Sequence, residues 1–211
     1  MIKTDANLFR IISRAISTEE TRYYLRGVFV QPRAEGGVTL VATNGHVMLA
    51  AHDPHGEADE SAIIGLGDNL KHCKAPKGRG EKAGQTFIEL ATGEADADIW
   101  NKLGDSKDPV AKAYRVRIDG TFPDWRHVTP GDVSETGQAP ALAGVYVKPM
   151  AETAIDLTAH YADGAGAMRI LPSTVNGTGS PALIRFAASE NVFGVIMPVR
   201  AVCPAGLPAW Y

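Results

Sequence analysis

The sequence lacks any apolar run of the roughly 20 residues that a membrane-spanning helix needs, because charged or turn-forming residues interrupt every hydrophobic stretch sooner. The first residues, Met-Ile-Lys-Thr-Asp, do not form the apolar core of a secretory signal peptide. We therefore expect a cytoplasmic protein with no membrane contact.

Cysteine is scarce, with 2 in the chain, Cys73 and Cys203. This favours a reduced protein, although a single disulfide stays open as an alternative. The net charge of −3 gives no general positive field, so a nucleic acid could be bound only through a local basic patch. Apolar content of 45% and charged content of 21% are typical of a globular protein with a substantial core.

Common signatures of an active site are also missing. We find no Ser-His-Asp order and no paired-carboxylate pattern, and residues 78–80 (Gly-Arg-Gly) lack the spacing of a phosphate-binding loop. A metal-dependent enzyme is a separate hypothesis that rests on His46, His52, Asp53 and His55, whose spacing matches no zinc signature. We predict a protein that is not an enzyme and has no cofactor or metal.

Residues 38–51 are predicted to form a β-hairpin, and the rest of the chain is organised around it. Apolar residues flank Asn44-Gly45, a pair that favours a type I′ turn with positive φ at both positions. Alternation along the strand then places Val47 and Met48 on opposite faces. Such a corner is either an ordinary turn or part of a binding site, and other segments must decide which.

The order strand, helix and three strands recurs three times, which indicates a repeated βαβββ unit. In the first unit, a strand at residues 2–5 leads to a helix capped by Asp5 with an apolar stripe, then to β-rich residues 23–31 and the hairpin. The second unit has strands at residues 61–65, 86–91, 97–101 and 113–119, and a short helix at 68–74. The third has strands at residues 142–147, 168–171, 182–187 and 192–199, and a helix starting at Pro149.

Basic residues on the first two helices are candidate phosphate contacts. Arg10 and Arg14 lie one turn apart, on a face that is either solvated or directed at a polyanion. The second group lies in and after the second helix: Lys71, Lys74, Lys77, Arg79 and Lys82. The third helix differs, because Glu152, Asp156 and the later Asp163 bring negative charge, so a DNA surface would be uneven.

Four segments in the right order resemble the bacterial sliding clamp, the β subunit of the replicative DNA polymerase. Residues 20–28 (ETRYYLRGV) are similar to the family's R-Y-Y-L-N-G element, and residues 41–49 (VATNGHVML) to its V-A-T-D-G-H-R-L-A hairpin. Residues 118–128 (IDGTFPDWRHV) resemble its D-G-R-F-P-D-Y-R-R-V run, and residues 195–200 (VIMPVR) its closing V-M-P-M-R. This resemblance spans most of the chain.

The resemblance implies an α+β DNA-clamp fold of about three βαβββ units, with helices on one face of antiparallel sheets. Residues 1–130 would form a clamp domain of two units (1–53 and 61–119, with 120–130 as a connection), residues 131–140 a linker, and residues 141–211 a third unit. The chain then matches the family's middle domain and half of its last one. A homo-oligomer is expected, because the third unit lacks a mate and a family-like ring would take about four such chains.

The resemblance also implies a pocket for short apolar peptide motifs of polymerases and repair proteins. Carried over position by position, it comprises Arg22, Leu25, Thr43, Gly45, His46, Val47, Met48, Pro123, His127, Val128, Met197, Pro198, Val199 and Arg200. Apolar members would form a floor, and Arg22 and Arg200 would bind a carboxylate or carbonyl. The family's basic residues are replaced here by Val47 and His127, and without the resemblance the apolar members would be read as core.

The function implied is a sliding-clamp-like processivity factor of DNA replication, encoded by a bacterium or phage, that binds partner peptides and encircles duplex DNA without sequence specificity. The alternative is a clamp-fold interaction or phage accessory module that never encircles DNA. The missing units and the acidic net charge favour that alternative, and DNA binding and oligomeric mass would separate the two.

Overall fold

The computed structural model describes residues 1–74, 86–90, 96–101, 109–135, 140–161, 165–173 and 180–201. At residues 86–90, 101 and 161 only the backbone is described.

The first unit has the predicted βαβββ order. Its elements are β1 (Ile2–Asp5), α1 (Ala6–Ile12), β2 (Val28–Pro32), β3 (Val38–Thr43) and β4 (Val47–Asp53), with a 3-10 helix over Glu20–Leu25 where we expected β structure. The Asp5 carboxylate caps α1 by accepting hydrogen bonds from the backbone N–H groups of Asn7 at 2.8 Å and Leu8 at 3.1 Å.

The hairpin forms as predicted, but its turn is different. β3 and β4 pair in antiparallel register with Thr43 opposite Met48. Gly45 has a φ of 89°, whereas the only non-glycine residue with positive φ in the described ranges is Arg115, so the turn is not type I′ with Asn44 at its first central position. Asn44 contributes its side chain instead, because its Oδ1 accepts hydrogen bonds from two following backbone N–H groups.

The second unit is built from shorter pieces. Its elements are β5 (Glu57–Ala58), β6 (Ala62–Ile64), a 3-10 helix over Gly67–Cys73, β7 (Thr86–Leu90), β8 (Ala97–Asn101), β9 (Ala111–Ala113) and β10 (Arg117–Ile118). The strand expected at residues 113–119 is interrupted because Arg115 has a φ of 55°, which β structure does not accommodate.

The third unit begins with a helix, so the strand predicted at residues 142–147 is wrong. Helix α2 (Gly144–Tyr161) starts five residues before Pro149, and the three strands β11 (Met168–Pro172), β12 (Ala182–Phe186) and β13 (Ser189–Ile196) follow it. Val145 and Val147 favoured β structure locally, but burial of Met150, Ala154 and Leu157 along one stripe of α2 decides for the helix.

Two sheets join the units. The strand order is β10-β6-β2-β3-β4-β13-β12-β11 in the eight-stranded sheet and β5-β1-β7-β8-β9 in the other. The first two units exchange strands, because β1 pairs with β7 and β6 pairs with β2. The third unit joins through β13, which is antiparallel to β4.

Hydrophobic clusters lie on both faces of the eight-stranded sheet. The larger contains apolar residues of α1 and α2, while the smaller contains Leu25, Met48, Phe122 and Val195 and no residue of either helix. The helices therefore lie on one face, as predicted. β3 and β4 are buried on both faces, which explains their almost continuous apolar sequence.

Among the described residues, neither helix is long and apolar enough to span a membrane. Of the expected linker at residues 131–140, the first part packs against the third unit, since Ser134 N–H donates to the Pro172 carbonyl at 2.8 Å and Val133 bridges Ser173. Residues 136–139 lie outside the described ranges.

Candidate functional site

The corner between β3 and β4 is held by short-range hydrogen bonds. The Thr43 hydroxyl donates to the Val47 carbonyl at 2.8 Å and accepts from the Gly45 N–H at 3.1 Å. The Asn44 side chain accepts from the N–H groups of His46 at 2.9 Å and Val47 at 3.0 Å. With its backbone groups paired locally, the corner presents the exposed Gly45 and His46 in a fixed conformation.

The C-terminal part of the described chain reaches this corner through the sheet. β13 places Val195 opposite Met48, and the Met197 N–H continues the ladder by donating to the His46 carbonyl at 2.9 Å. The next residues leave the sheet beside the turn, where the Val199 N–H donates to the Ala141 carbonyl at 2.9 Å. Residues 197–199 are half-buried and Arg200 is exposed.

The 3-10 helix over Glu20–Leu25 forms another side of the corner. A Cβ at Gly45 would lie 2.9 Å from Nη1 of Arg22, so the guanidinium group rests directly against the turn. Arg22 is half-exposed and pairs with Glu19, with 3.3 Å between Nε and Oε2. Leu25, by contrast, is buried in the smaller hydrophobic cluster together with Met48.

The remaining predicted segment lies at residues 118–128 and is anchored by aromatic side chains. Phe122 stacks on Phe29 with ring centroids 4.8 Å apart, and Trp125 lies 6.4 Å from Phe193 of β13. The Arg126 guanidinium lies 4.3 Å from the centre of the Trp125 ring. These contacts fix the neighbouring site residues Pro123, His127 and Val128, all of which remain exposed.

Residues 20–28, 41–49 and 195–200 meet at the corner, whereas residues 118–128 contact Phe29 and Phe193 farther along the same sheet. The side chains of the predicted site divide into two groups. Leu25, Val47 and Met48 are 2–4% exposed and belong to the core. The accessible members are Arg22, Gly45, His46, Pro123, His127, Val128 and Arg200, with Thr43 and residues 197–199 half-buried. Of the apolar members, Val128 is exposed and Met197 is half-buried.

One residue of the corner was missed by the sequence analysis. Tyr146 of α2 stacks on His46 with ring centroids 4.8 Å apart and an interplanar angle of 12°. The strand wrongly predicted at residues 142–147 gave no reason to expect this contact, because it did not place Tyr146 beside the turn. An aromatic residue in the first turn of a correctly placed helix would have been the signal.

The predicted DNA contacts are in different environments. Arg10 and Arg14 are 14% and 19% exposed, and both form ion pairs with Asp156 of α2. Lys71 and Lys74 are exposed. The remaining three, Lys77, Arg79 and Lys82, lie outside the described residues.

The ion pairs change the acidity of Asp156. Burial disfavours its charged form, but hydrogen bonds from Arg14 and Arg10 outweigh burial and hold the pKa of this carboxyl below its usual value. Asp156 is therefore ionised at neutral pH and neutralises part of the positive charge of α1.

Two of the four residues of the metal hypothesis, Asp53 and His46, have structural partners, whereas the buried Nε2 of His52 has no hydrogen-bond partner among the described residues. Oδ2 of Asp53 accepts hydrogen bonds at 2.8 Å from the Thr4 hydroxyl and from the Asp5 N–H, which ties the end of β4 to β1. His46 is stacked on Tyr146. In the part of the chain that is described, no group of three or more potential ligands is arranged to hold a metal ion.

A separate cavity of about 210 Å³ lies away from the corner, beneath the end of α1. Apolar side chains of Phe9, Ile16, Val28, Ile64 and Leu70 line it, with Arg26 as its charged lining residue. It shares no residue with the predicted peptide site.

Comparison with known proteins finds similarity to bacterial sliding clamps. The chain is 38% identical over 140 residues to the beta sliding clamp of Caulobacter vibrioides, which covers 62% of this chain and 35% of that protein. The chain thus spans about a third of the length of the curated relatives it matches. No protein-family model matches it.

Solved sliding clamps share its fold. The Bartonella birtlesii DnaN clamp, solved with bound griselimycin, has a TM-score of 0.61 at 21% identity, covering 93% of this chain and 64% of that one. The DNA polymerase III subunit beta of Pseudomonas aeruginosa has a TM-score of 0.62 at 15% identity, covering 95% and 67%. The chain therefore has the fold of bacterial sliding clamps and is similar in sequence to part of the length of one of them.

Proposed function

We propose that the chain is a non-enzymatic, cytoplasmic clamp-like protein that binds short extended peptides at the corner formed by Gly45 and His46. The meeting there of three segments from distant parts of the sequence supports this most strongly. The fourth, residues 118–128, adjoins them through Phe122, which shares the smaller hydrophobic cluster with Met48. Its partners would be apolar motifs of a DNA polymerase or of repair proteins, and its role that of a processivity factor in DNA replication.

The chemistry of the corner suits a peptide with apolar side chains and a carboxylate. Val128 is 47% exposed, and a partner that covered its side chain would gain the free energy of burying apolar surface. The half-buried Met197 adjusts easily to different side chains. The guanidinium groups of Arg22 and Arg200 are exposed and suited to bidentate contact with a peptide carboxylate.

A pair of matched variants tests the proposal. The probe is a fluorescein-labelled six-residue peptide rich in Leu and Phe with a free C-terminus, and binding is followed by fluorescence polarisation. Val128→Glu should weaken binding at least about tenfold, because a charge placed at a desolvated contact costs more than 1 kcal/mol. Ile155→Glu is the control, since Ile155 is 59% exposed and lies on α2, outside the predicted peptide site.

Equal effects of the two variants, or no binding by the unmodified chain to any peptide of this class, would refute the peptide site. Arg200→Ala adds a separate test, since it should lower affinity for the free-acid peptide more than for the C-terminally amidated one.

Oligomerisation and DNA encirclement form a separate part of the proposal. A homo-oligomer would extend the sheets across chain boundaries, and Val110 and Tyr114, 48% and 68% exposed, flank the edge strand β9. Light scattering would give the mass, and a monomer would exclude a ring. A ring should bind circular duplex DNA and slide off linear DNA, in a salt-dependent manner.

One observation favours the alternative of an interaction module that does not encircle DNA. The two arginines expected to contact phosphate from α1 are already paired with an acidic residue of the same chain. Peptide binding without any binding of circular DNA at low salt would support this alternative.

A further inference from the structure

Two arginine side chains of α1 and the 3-10 turn after it converge on a single carboxylate oxygen. Arg10 and Arg14 follow each other by one turn, and both donate hydrogen bonds to Oδ2 of Asp156, Arg10 from Nη2 at 2.8 Å. Asn7 orients the first arginine, since its Oδ1 accepts from Nε and Nη2 of Arg10 at 3.3 and 2.9 Å. The arginines are thus fixed in place rather than extended into solvent.

Such an arrangement is typical of an oxyanion site. Guanidinium groups bind carboxylates and phosphates through the same planar set of donors, so a pair that fits one group fits the other. The Asp156 carboxylate does not pair with every N–H donor of the two arginines, because the buried Nη1 of Arg14 has no hydrogen-bond partner among the described residues. A phosphate group offers more oxygen acceptors than a carboxylate and would accept a hydrogen bond from this donor as well.

We propose that Arg10 and Arg14 form a phosphodiester-binding site that the carboxylate of Asp156 occupies from within the chain. A DNA phosphate reaches the two arginines only when this carboxylate is displaced or neutralised. Asp156 therefore competes with the DNA phosphate for the same two arginines. Through this residue, α2 of the third unit controls the access of DNA to a site on the first unit. The inference rests on the clamp-like function only in naming duplex DNA as the polyanion.

The local balance of charge supports competition. The face where α1 meets α2 carries Arg10, Arg14 and Lys148 against Glu152 and Asp156. Glu152 is 48% exposed, lies 3.7 Å from Nε of Arg14 and pairs more loosely than Asp156, which is 20% exposed. Asp156 is consequently the residue whose neutralisation should release the site.

Neutralising this carboxylate without changing its shape tests the proposal. The variant is Asp156→Asn, and its control is Glu190→Gln, which removes the same charge from an exposed position on β13. Binding to a fluorescent duplex is measured at several salt concentrations. Asp156→Asn should bind more tightly at low salt and steepen the log–log salt dependence by about 1.8, the value for two added phosphate contacts. Glu190→Gln should leave the slope unchanged.

A double variant, Arg10→Gln with Arg14→Gln, provides the complementary measurement. In the unmodified chain the double variant should not change DNA affinity. Combined with Asp156→Asn, it should abolish the increase in DNA affinity that Asp156→Asn produces. The proposal is overturned if the double variant weakens DNA binding of the unmodified chain, or if Asp156→Asn binds no more tightly than Glu190→Gln.

Two further readouts keep these outcomes interpretable. Circular dichroism establishes that each variant is folded, and Asp156→Ser, which also removes the charge, takes the place of Asp156→Asn if that variant does not fold. Peptide binding at the corner should be the same for Asp156→Asn and the unmodified chain. Its loss in every variant would count against the proposed peptide site, and not against the internal carboxylate.

Discussion

Replacement of Met48 by alanine should destabilise the whole chain. Met48 is 2% exposed and lies on β4, in the middle of the eight-stranded sheet, between Thr43 on one neighbouring strand and Val195 on the other. Truncating a buried methionine removes its transfer free energy and leaves a cavity, which together cost about 2–5 kcal/mol. Neighbouring strands are hydrogen-bonded on both sides and cannot collapse into the space, so we expect about 3 kcal/mol.

Urea unfolding followed by circular dichroism measures this loss. For a chain of this size, about 3 kcal/mol corresponds to a fall in Tm of roughly 6–12 °C. Val128→Ala is the control, because Val128 is 47% exposed and its truncation should change stability by less than about 0.5 kcal/mol. A decrease in unfolding free energy of less than about 1 kcal/mol for Met48→Ala would contradict the close packing of Met48 in the sheet.

The result also bears on how the peptide site is tested. From the sequence, Met48→Ala combined with Met197→Ala would be expected to weaken peptide binding and leave the fold intact. The structure shows that this combination disturbs the core, so a loss of binding would have two explanations. Exposed positions such as Val128 and Arg200 avoid this ambiguity.

Three other variants or conditions test particular contacts. Gly45→Ala should cost about 1–2 kcal/mol in urea unfolding, because Gly45 has a φ of 89° that alanine adopts poorly; an unchanged midpoint would contradict the turn geometry. The pKa of Asp156 is lower in the folded chain, so its contribution to stability is present above the unfolded pKa and is lost as pH falls through the folded value. The difference in unfolding free energy between the unmodified chain and Asp156→Asn should therefore be constant near neutral pH and shrink as pH falls below 3.8, the ordinary pKa of this carboxyl; a difference that stays constant there would argue against the ion pairs. Burial raises the pKa of the Cys73 thiol to about 12, so Cys73 should react with a thiol reagent only on unfolding, as mass mapping of the labelled residue would show; rapid labelling of the native chain would contradict its burial.

Local signals in the sequence predicted the first unit well. The Asn44-Gly45 pair located the hairpin, and Asp5 before an apolar stripe located the start of α1. These features depend on neighbouring residues, which a sequence displays directly. The turn type was wrong because Asn44 uses its side chain to complete the turn, an option that the residue pair alone does not reveal.

The features that escaped prediction depend on residues distant in the sequence. The β propensity of Val145 and Val147 suggested a strand, and packing of α2 against the first unit overrode it. The contacts of His46 with Tyr146 and of Arg10 with Asp156 join segments about 100 and 146 residues apart. The sequence showed that the third helix carries acidic residues, but not that Asp156 forms ion pairs with Arg10 and Arg14. The matching segments did predict that residues 20–28 and 195–200 lie beside the hairpin turn, although not which side chains are buried.

The pairing of β13 with β4 makes the third unit a protective cover for the first. β4 is a seven-residue strand with apolar residues on both faces, and without β13 its N–H and C=O groups would form a bare edge. A fragment ending near residue 140 would expose the unpaired edge of β4 to solvent and should aggregate, whereas in the intact chain β13 pairs with this edge.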